Sequence, residues 1–301
     1  MDPRDQVFAH TSEDMREVPD GAVALTVTSP PYHNAIDYVQ HVADSAVNYR
    51  TRRREQAYPE YLAFLKRVFA EVHRVTKPGG FCAVVVGTVL DGGEHIALPH
   101  HLTTLLEGIG WRFHQDILWH KVTAGVRRAG VVIQKPFPGY YYPNLMTEYI
   151  LVFRKDGPSI FKGRTTVERE ASRIAIDSVF THDVANTLWN IPPVPPGSVD
   201  HPCPFPEEIP HRLITLYSYP GELVLDPFCG AGTTLKVARH LGRGFVGFEV
   251  QERYAVAARK AVDAPSRLRP SQIVLEYGKV PWGATIAAKN PKQRRRRPPV
   301  T

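Results

Sequence analysis

Alternation between apolar and polar positions opens the chain. The stretches "QVFAH" and "VALTVT" read as strands, separated by a short helical turn over "SEDMREV" and the turn "PDG". From Pro59 to Thr76 the apolar residues Tyr61, Leu65, Val68, Phe69, Val72 and Val75 recur at three- and four-residue steps, which predicts an amphipathic helix stopped by "KPGG". A buried strand "FCAVVVG" follows, then a helix through "HLTTLLEGIG" and strands near "FHQDILW" and "TEYILVF". In the last third, "EEIPHRLITLYS" reads as a helix, "ELVLD" as a strand, "TTLKVARHLG" as a helix, "GFVGFEV" as a strand and "ERYAVAARKAV" as a helix. Strands and helices alternate at both ends, which predicts a doubly wound, mostly parallel α/β sheet.

Two segments break the alternation. Residues 121–146 and 154–200 are rich in Pro, Gly, Arg and aromatics and show no sustained helical period, so they read as insertions. Four regions result: 1–120 as one half of the core, 121–200 with the inserted segments around the strand near 147–153, 201–263 as the other half, and 264–301 as a basic, proline-containing tail whose end is expected to be disordered.

Composition narrows the classes. The 301 residues suffice for one large core, or one core with an embedded smaller lobe. A net charge of +7 favours a polyanionic partner, although part of it lies in "KQRRRR", residues 292–297. Cys82, Cys203 and Cys229 have no paired spacing, which argues against a disulfide framework and a zinc site and fits a reducing cytoplasm. "FCAVVVGTVL" is too short to span a bilayer, so no membrane partner is expected.

Candidate chemistry concentrates in two places. In "LVLDPFCGAGTTLKVARHLGRGFVGFEV", residues 223–250, a strand runs into a glycine loop, a helix and a second strand ending in Glu249. Gly230 and Gly232 can take backbone angles closed to other residues and admit a ligand to the main chain, and Glu249 stands where such units place a carboxylate for ribose hydroxyls. The loop lacks the third glycine of the dinucleotide pattern and the lysine of a phosphate-binding loop, so NAD and ATP are weak candidates. The second place is "TSPPY", residues 28–32, a rigid stop to an apolar strand.

Together, "DPFCGAGTT" and "TSPPY" resemble the cofactor loop and catalytic motif of the S-adenosylmethionine-dependent DNA amino-methyltransferases, which methylate N4 of cytosine or N6 of adenine. Ser29 precedes Asp226, the motif order of the beta subgroup, and "HPCPFPEEIPHRLITLYS", residues 201–218, is similar to the segment just upstream of the cofactor loop in that subgroup. The resemblance covers most of residues 5–262. It implies a Rossmann-like methyltransferase fold with a seven-stranded sheet and inserted target-recognition segments. It also implies that S-adenosyl-L-methionine meets Asp226, Phe228, Gly230, Gly232, Thr233 and Glu249, with His201, Pro202 and Phe205 on its methionine side. Where many relatives carry "GD" to contact the adenine amine, this chain has "AHTSED", leaving Asp14 or Ser12 as substitutes.

The motif has a chemical rationale. An exocyclic nucleobase amine is a poor nucleophile because its lone pair is delocalised, so hydrogen-bond acceptors must hold the nitrogen. Ser29 and the Pro30 carbonyl supply acceptors, Pro30 and Pro31 stiffen the turn, and Tyr32 offers a face for stacking a base extruded from the duplex. Ser at the first motif position favours cytosine N4 in the resembling family, with adenine N6 as the alternative. A catalytically silent nucleic-acid-binding protein is the rival of a different class. Methylation at carbon 5 would need a cysteine nucleophile, and Cys203 and Cys229 both lie on the cofactor side instead. Lys121, Arg127, Arg128 and Lys135, with Arg164, Arg169 and Arg173, suit contacts to double-stranded DNA.

Overall fold

A computed structural model of the chain describes residues 2–32, 54–91, 94–121, 145–177, 180–194, 206–265 and 268. Its elements in chain order are β1 (Gln6–Phe8), β2 (Val23–Thr28), α1 (Arg54–Val75), β3 (Thr76–Val86), β4 (Val89–Asp91), β5 (Glu94–Ile96), α2 (Leu98–Ile109), β6 (Trp111–His120), β7 (Thr147–Lys155), α3 (Thr166–Ala171), a π-helical turn (Phe180–Val184), β8 (Leu188–Asn190), α4 (Glu208–Tyr217), β9 (Leu223–Asp226), α5 (Thr233–His240), β10 (Gly244–Phe248) and α6 (Glu252–Ala261).

Among the described residues, eight strands form the main sheet in the order β1-β10-β9-β2-β3-β7-β6-β8. Only β7 runs against its neighbours β3 and β6; the remaining pairs are parallel. The sheet therefore has one strand more than the seven expected. The extra strand, β8, comes from the segment read as inserted; it is three residues long, too short to show a period, and pairs with the end of β6 at Leu118 to His120.

Both faces of the sheet are covered. Along β3, Phe81, Ala83 and Val85 pack with the face that carries Leu213 of α4, Leu235 of α5 and Ala258 of α6. The alternate residues Cys82, Val84 and Val86 pack with Leu65 and Phe69 of α1 and Leu102 of α2. That period of two, with both sets buried, is why "FCAVVVG" reads as a continuous apolar run. Arg212 on α4, 4% exposed, pairs with Asp183 of the π-helical turn and Glu208, and its guanidinium lies 5.0 Å from the Trp189 ring centroid. The edge segment before β8 is thereby tied to the helix that leads into the glycine-loop strand. Among the described residues, no helix is long and apolar enough to cross a membrane.

Candidate active site

Parallel pairing places the ends of β1, β10, β9, β2 and β3 along one edge of the sheet, the edge where open α/β sheets bind ligands. Both sequence motifs lie there. The register sets Leu25 and Thr26 of β2 beside Val224 and Leu225 of β9, so Thr28, the last residue of β2, reaches the end of β9. Thr28 Oγ1 donates to Asp226 Oδ1 at 2.7 Å, joining residues 198 positions apart. Thr234, in the first turn of α5, donates to the Val27 carbonyl at 3.3 Å.

Asp226 is 1% exposed, and burial pushes its carboxyl up to about 6, opposed by the hydrogen bonds it accepts from Thr28 and from the Phe228 amide at 3.1 Å. The glycine loop then folds on itself. Gly230 and Gly232 have φ of +49° and +82°, and a Cβ on Gly232 would stand 2.9 Å from both Cα and Cβ of Ala258. Here glycine is required twice over, for the left-handed backbone and for the approach of α6. Glu249 latches the loop: its Oε2 accepts from the Gly230 amide at 3.1 Å and its Oε1 from the Gln251 amide at 2.9 Å. Burial raises the Glu249 carboxyl, and those amides oppose the shift. Thr233 opens α5 directly after Gly232.

These features fit S-adenosylmethionine. Carboxylates at the ends of two adjacent strands suit a cationic sulfonium ligand with ribose hydroxyls, and exposed Val250, next to Glu249, offers an apolar surface beside them. At the end of neighbouring β1, Asp14 is taken up by Arg16, whose Nε donates to it at 2.8 Å, and Ser12 is buried. The polar group that the strand end brings beside β10 is instead His10, its ring 5.3 Å from that of Phe248 and its nitrogens bonded to the Thr11 carbonyl and Glu17.

Ser29 is half-buried and Pro30 buried at the end of β2. The Tyr61 hydroxyl on α1 donates to the Pro31 carbonyl at 2.9 Å, drawing that carbonyl toward the helix. Burial also raises the Tyr61 hydroxyl, keeping it a donor. On the same helix, the rings of Phe64 and Phe69 lie 6.0 and 6.5 Å from Phe228. One helix thus braces both motifs, because Tyr61, Phe64 and Phe69 fall on its sheet-facing side. Tyr32 follows Pro31, and a Cβ on Gly87 would stand 3.3 Å from its hydroxyl and 2.9 Å from Cγ of Glu148.

Sequence reading missed Thr28, Tyr61, Gly87 and Glu148. Thr28 was legible in principle, as the residue next to Ser29; the others are ordinary core or strand residues until the fold brings them to this edge. Lys121 is described and pairs with Glu148. Arg164 and Arg173 are paired with Glu222 and Glu170, and Arg169 is exposed. Arg127, Arg128, Lys135, His201, Pro202, Phe205 and Cys203 lie outside the described residues. Cys229 is buried, which pushes its thiol well up, away from the thiolate that carbon-5 chemistry demands.

The sequence profile of the N6/N4 DNA methylases matches residues 23–260. The type II methyltransferase M.MjaI of Methanocaldococcus jannaschii is 32% identical over 265 residues, covering 79% of this chain and 84% of that protein. M.BglII of Bacillus subtilis, also a type II methyltransferase, is 30% identical over 254 residues, 79% of this chain and 63% of that one. Among solved structures, the candidate DNA modification methylase TTHA0409 of Thermus thermophilus, complexed with S-adenosyl-L-methionine, superposes with a TM-score of 0.65 at 29% identity, covering 86% of this chain and 97% of that one. The cytosine-N4-specific PvuII DNA methyltransferase shares the fold, with a TM-score of 0.62 at 18% identity over 90% of each chain. The chain belongs to the N6/N4 DNA methylase family and is an S-adenosylmethionine-dependent DNA methyltransferase.

Proposed function

We propose that the protein methylates the N4 amine of cytosine, on a base flipped out of double-stranded DNA. The observation that carries this reading is Ser29 at the end of β2, fixed one residue beyond the Thr28–Asp226 hydrogen bond that joins the catalytic turn to the cofactor loop. Ser29 Oγ and the Pro30 carbonyl are the acceptors for the amine; among the described residues no donor occupies the Pro30 carbonyl, while Tyr61 occupies that of Pro31. Tyr32 stacks on the extruded base.

Bound S-adenosylmethionine supplies an already activated methyl group, so direct displacement suffices. Asp226, Phe228, Gly230, Gly232, Thr233 and Glu249 hold it, with His201, Pro202 and Phe205 along its methionine end and His10 beside its adenine. Glu249 retains acceptor capacity for ribose hydroxyls while fixing the loop, since each carboxylate oxygen takes more than one donor. Arg127, Arg128 and Lys135 contact the duplex. Serine, a neutral acceptor, suits cytosine within this family, where aspartate is usual for adenine.

Incubation with labelled S-adenosylmethionine and mixed-sequence duplex DNA, followed by digestion and mass spectrometry, tests the reading. N4-methylcytosine is expected. N6-methyladenine overturns the base assignment while keeping the site, and absence of label in any base despite cofactor binding overturns the proposed substrate.

A further inference from the structure

Lys121 follows β6 and Glu148 is the second residue of β7; antiparallel pairing sets Trp119 opposite Glu148 and His120 opposite Thr147, which brings the two charged side chains together. Lys121 Nζ donates to Glu148 Oε1, and the side chains are only 14% and 13% exposed. The ammonium also lies 4.9 Å from the Trp119 ring centroid, while the Trp119 indole N–H donates to the Ile191 carbonyl at 2.7 Å. Glu148 reaches from there toward the catalytic turn. Its Cγ and the Tyr32 hydroxyl stand 2.9 and 3.3 Å from the point where a Gly87 Cβ would be.

A lysine that neutralises DNA phosphate works best exposed and uncompensated. Lys121 is neither. Withdrawing a charge pair from water costs several kcal/mol per ion, which mutual attraction offsets only when further hydrogen bonds are made. The ammonium has three donors and Glu148 takes one.

We infer that Lys121, held in place by Glu148, is a specificity-determining residue that donates a hydrogen bond to a ring acceptor of the target base beside its reacting amine. The inference rests on the flipped-base reading of Ser29 and Tyr32. Both candidate bases carry an unprotonated ring nitrogen next to that amine, and cytosine adds the O2 carbonyl beyond it. An uncompensated cation there would withdraw electron density from the amine that must attack. The Glu148 carboxylate offsets that charge and leaves the donor, making Glu148 a positioning residue.

The test uses the full chain and a duplex carrying the sequence context mapped from the methylated product, with either the intact target base or an abasic site. Lys121→Met is expected to weaken binding to the intact duplex about tenfold, leave the abasic duplex unaffected, and preserve the slope of log Kd against log salt. Glu148→Gln is expected to lower kcat more than it raises KM for DNA. Cofactor binding, measured by calorimetry, is expected to stay at the wild-type level in both variants. Should Lys121→Met lose its fold, Lys121→Ala is measured in its place.

Equal loss on both duplexes, with a salt slope reduced by about one, makes Lys121 a phosphate contact and overturns the inference. Loss of cofactor binding in both variants makes the pair structural and does the same. Wild-type methylation alongside an unimpaired Lys121→Met variant overturns this inference alone. A wild-type protein that labels no base removes the base pocket, and this contact with it.

Discussion

The two ends of the candidate site are built from different materials. At the cofactor end, one contiguous stretch from β9 to Glu249 supplies the loop itself: the backbone amides of Phe228 and Gly230, two left-handed glycines and the two carboxylates that fix them. At the base end, Ser29, Gly87, Lys121 and Glu148 come from four strand ends, and side chains do the positioning. A site shaped by loop backbone tolerates exchange of exposed side chains but not of the glycines that set the loop. A pocket assembled from side chains can be retuned one residue at a time. The two ends should therefore fail separately under mutation.

Ser29→Ala gives the largest expected effect. Removing one aimed hydrogen-bonding group at a reacting centre costs about 100-fold or more in turnover, here with unchanged S-adenosylmethionine affinity by calorimetry. Near-normal turnover removes Ser29 from the amine-holding role. Gly232→Ala attacks the other end. The left-handed φ costs roughly 1–2 kcal/mol, and forcing Cβ against the Ala258 backbone adds overpacking of roughly 1–3 kcal/mol. A fall of several degrees in Tm together with weakened cofactor binding is expected, and wild-type values for both would show that the loop is not packed against α6 as described.

Asp226→Asn sharpens the junction between the ends. Because burial raises the Asp226 carboxyl from its ordinary 3.8 to about 6, the folded state holds its proton more tightly than the unfolded chain. That contribution, on the order of 3 kcal/mol, is full below about pH 4 and is lost as pH rises through about 6. The Tm difference, Asn variant minus wild type, is expected to grow between pH 4 and 6 and to level off above. A flat difference across that window makes the carboxyl ordinary. Gly87→Ala is the gentlest probe. Its Cβ meets the Glu148 side chain and the Tyr32 hydroxyl, with no backbone strain, so a several-fold loss in kcat/KM for DNA is expected with cofactor affinity intact. If cofactor affinity falls as well, the two ends are not separable.

The sequence showed the long elements because their periods are long. Tyr61 to Val75 repeats on a helical face, and "FCAVVVG" is buried on both sides of a sheet. It missed β8, three residues long, and the β4–β5 hairpin, whose strands are equally short. The six-residue α3 had a signal that composition masked: Thr165 and Glu168 form a reciprocal capping box at its start, but Gly and Pro nearby make the segment read as irregular.

At the candidate site, the chain by itself determined the glycine loop and the proline turn. Each is a run of adjacent residues whose backbone needs, glycine at left-handed angles and proline at a strand stop, are written locally. Only tertiary structure decided that Thr28 meets Asp226 across 198 residues, that Tyr61 takes the Pro31 carbonyl, and that Lys121 spends its charge on Glu148 rather than on solvent. These contacts depend on strand order and register. Both are set by burying two faces of one sheet at once, a condition on the whole chain that no single stretch of it contains.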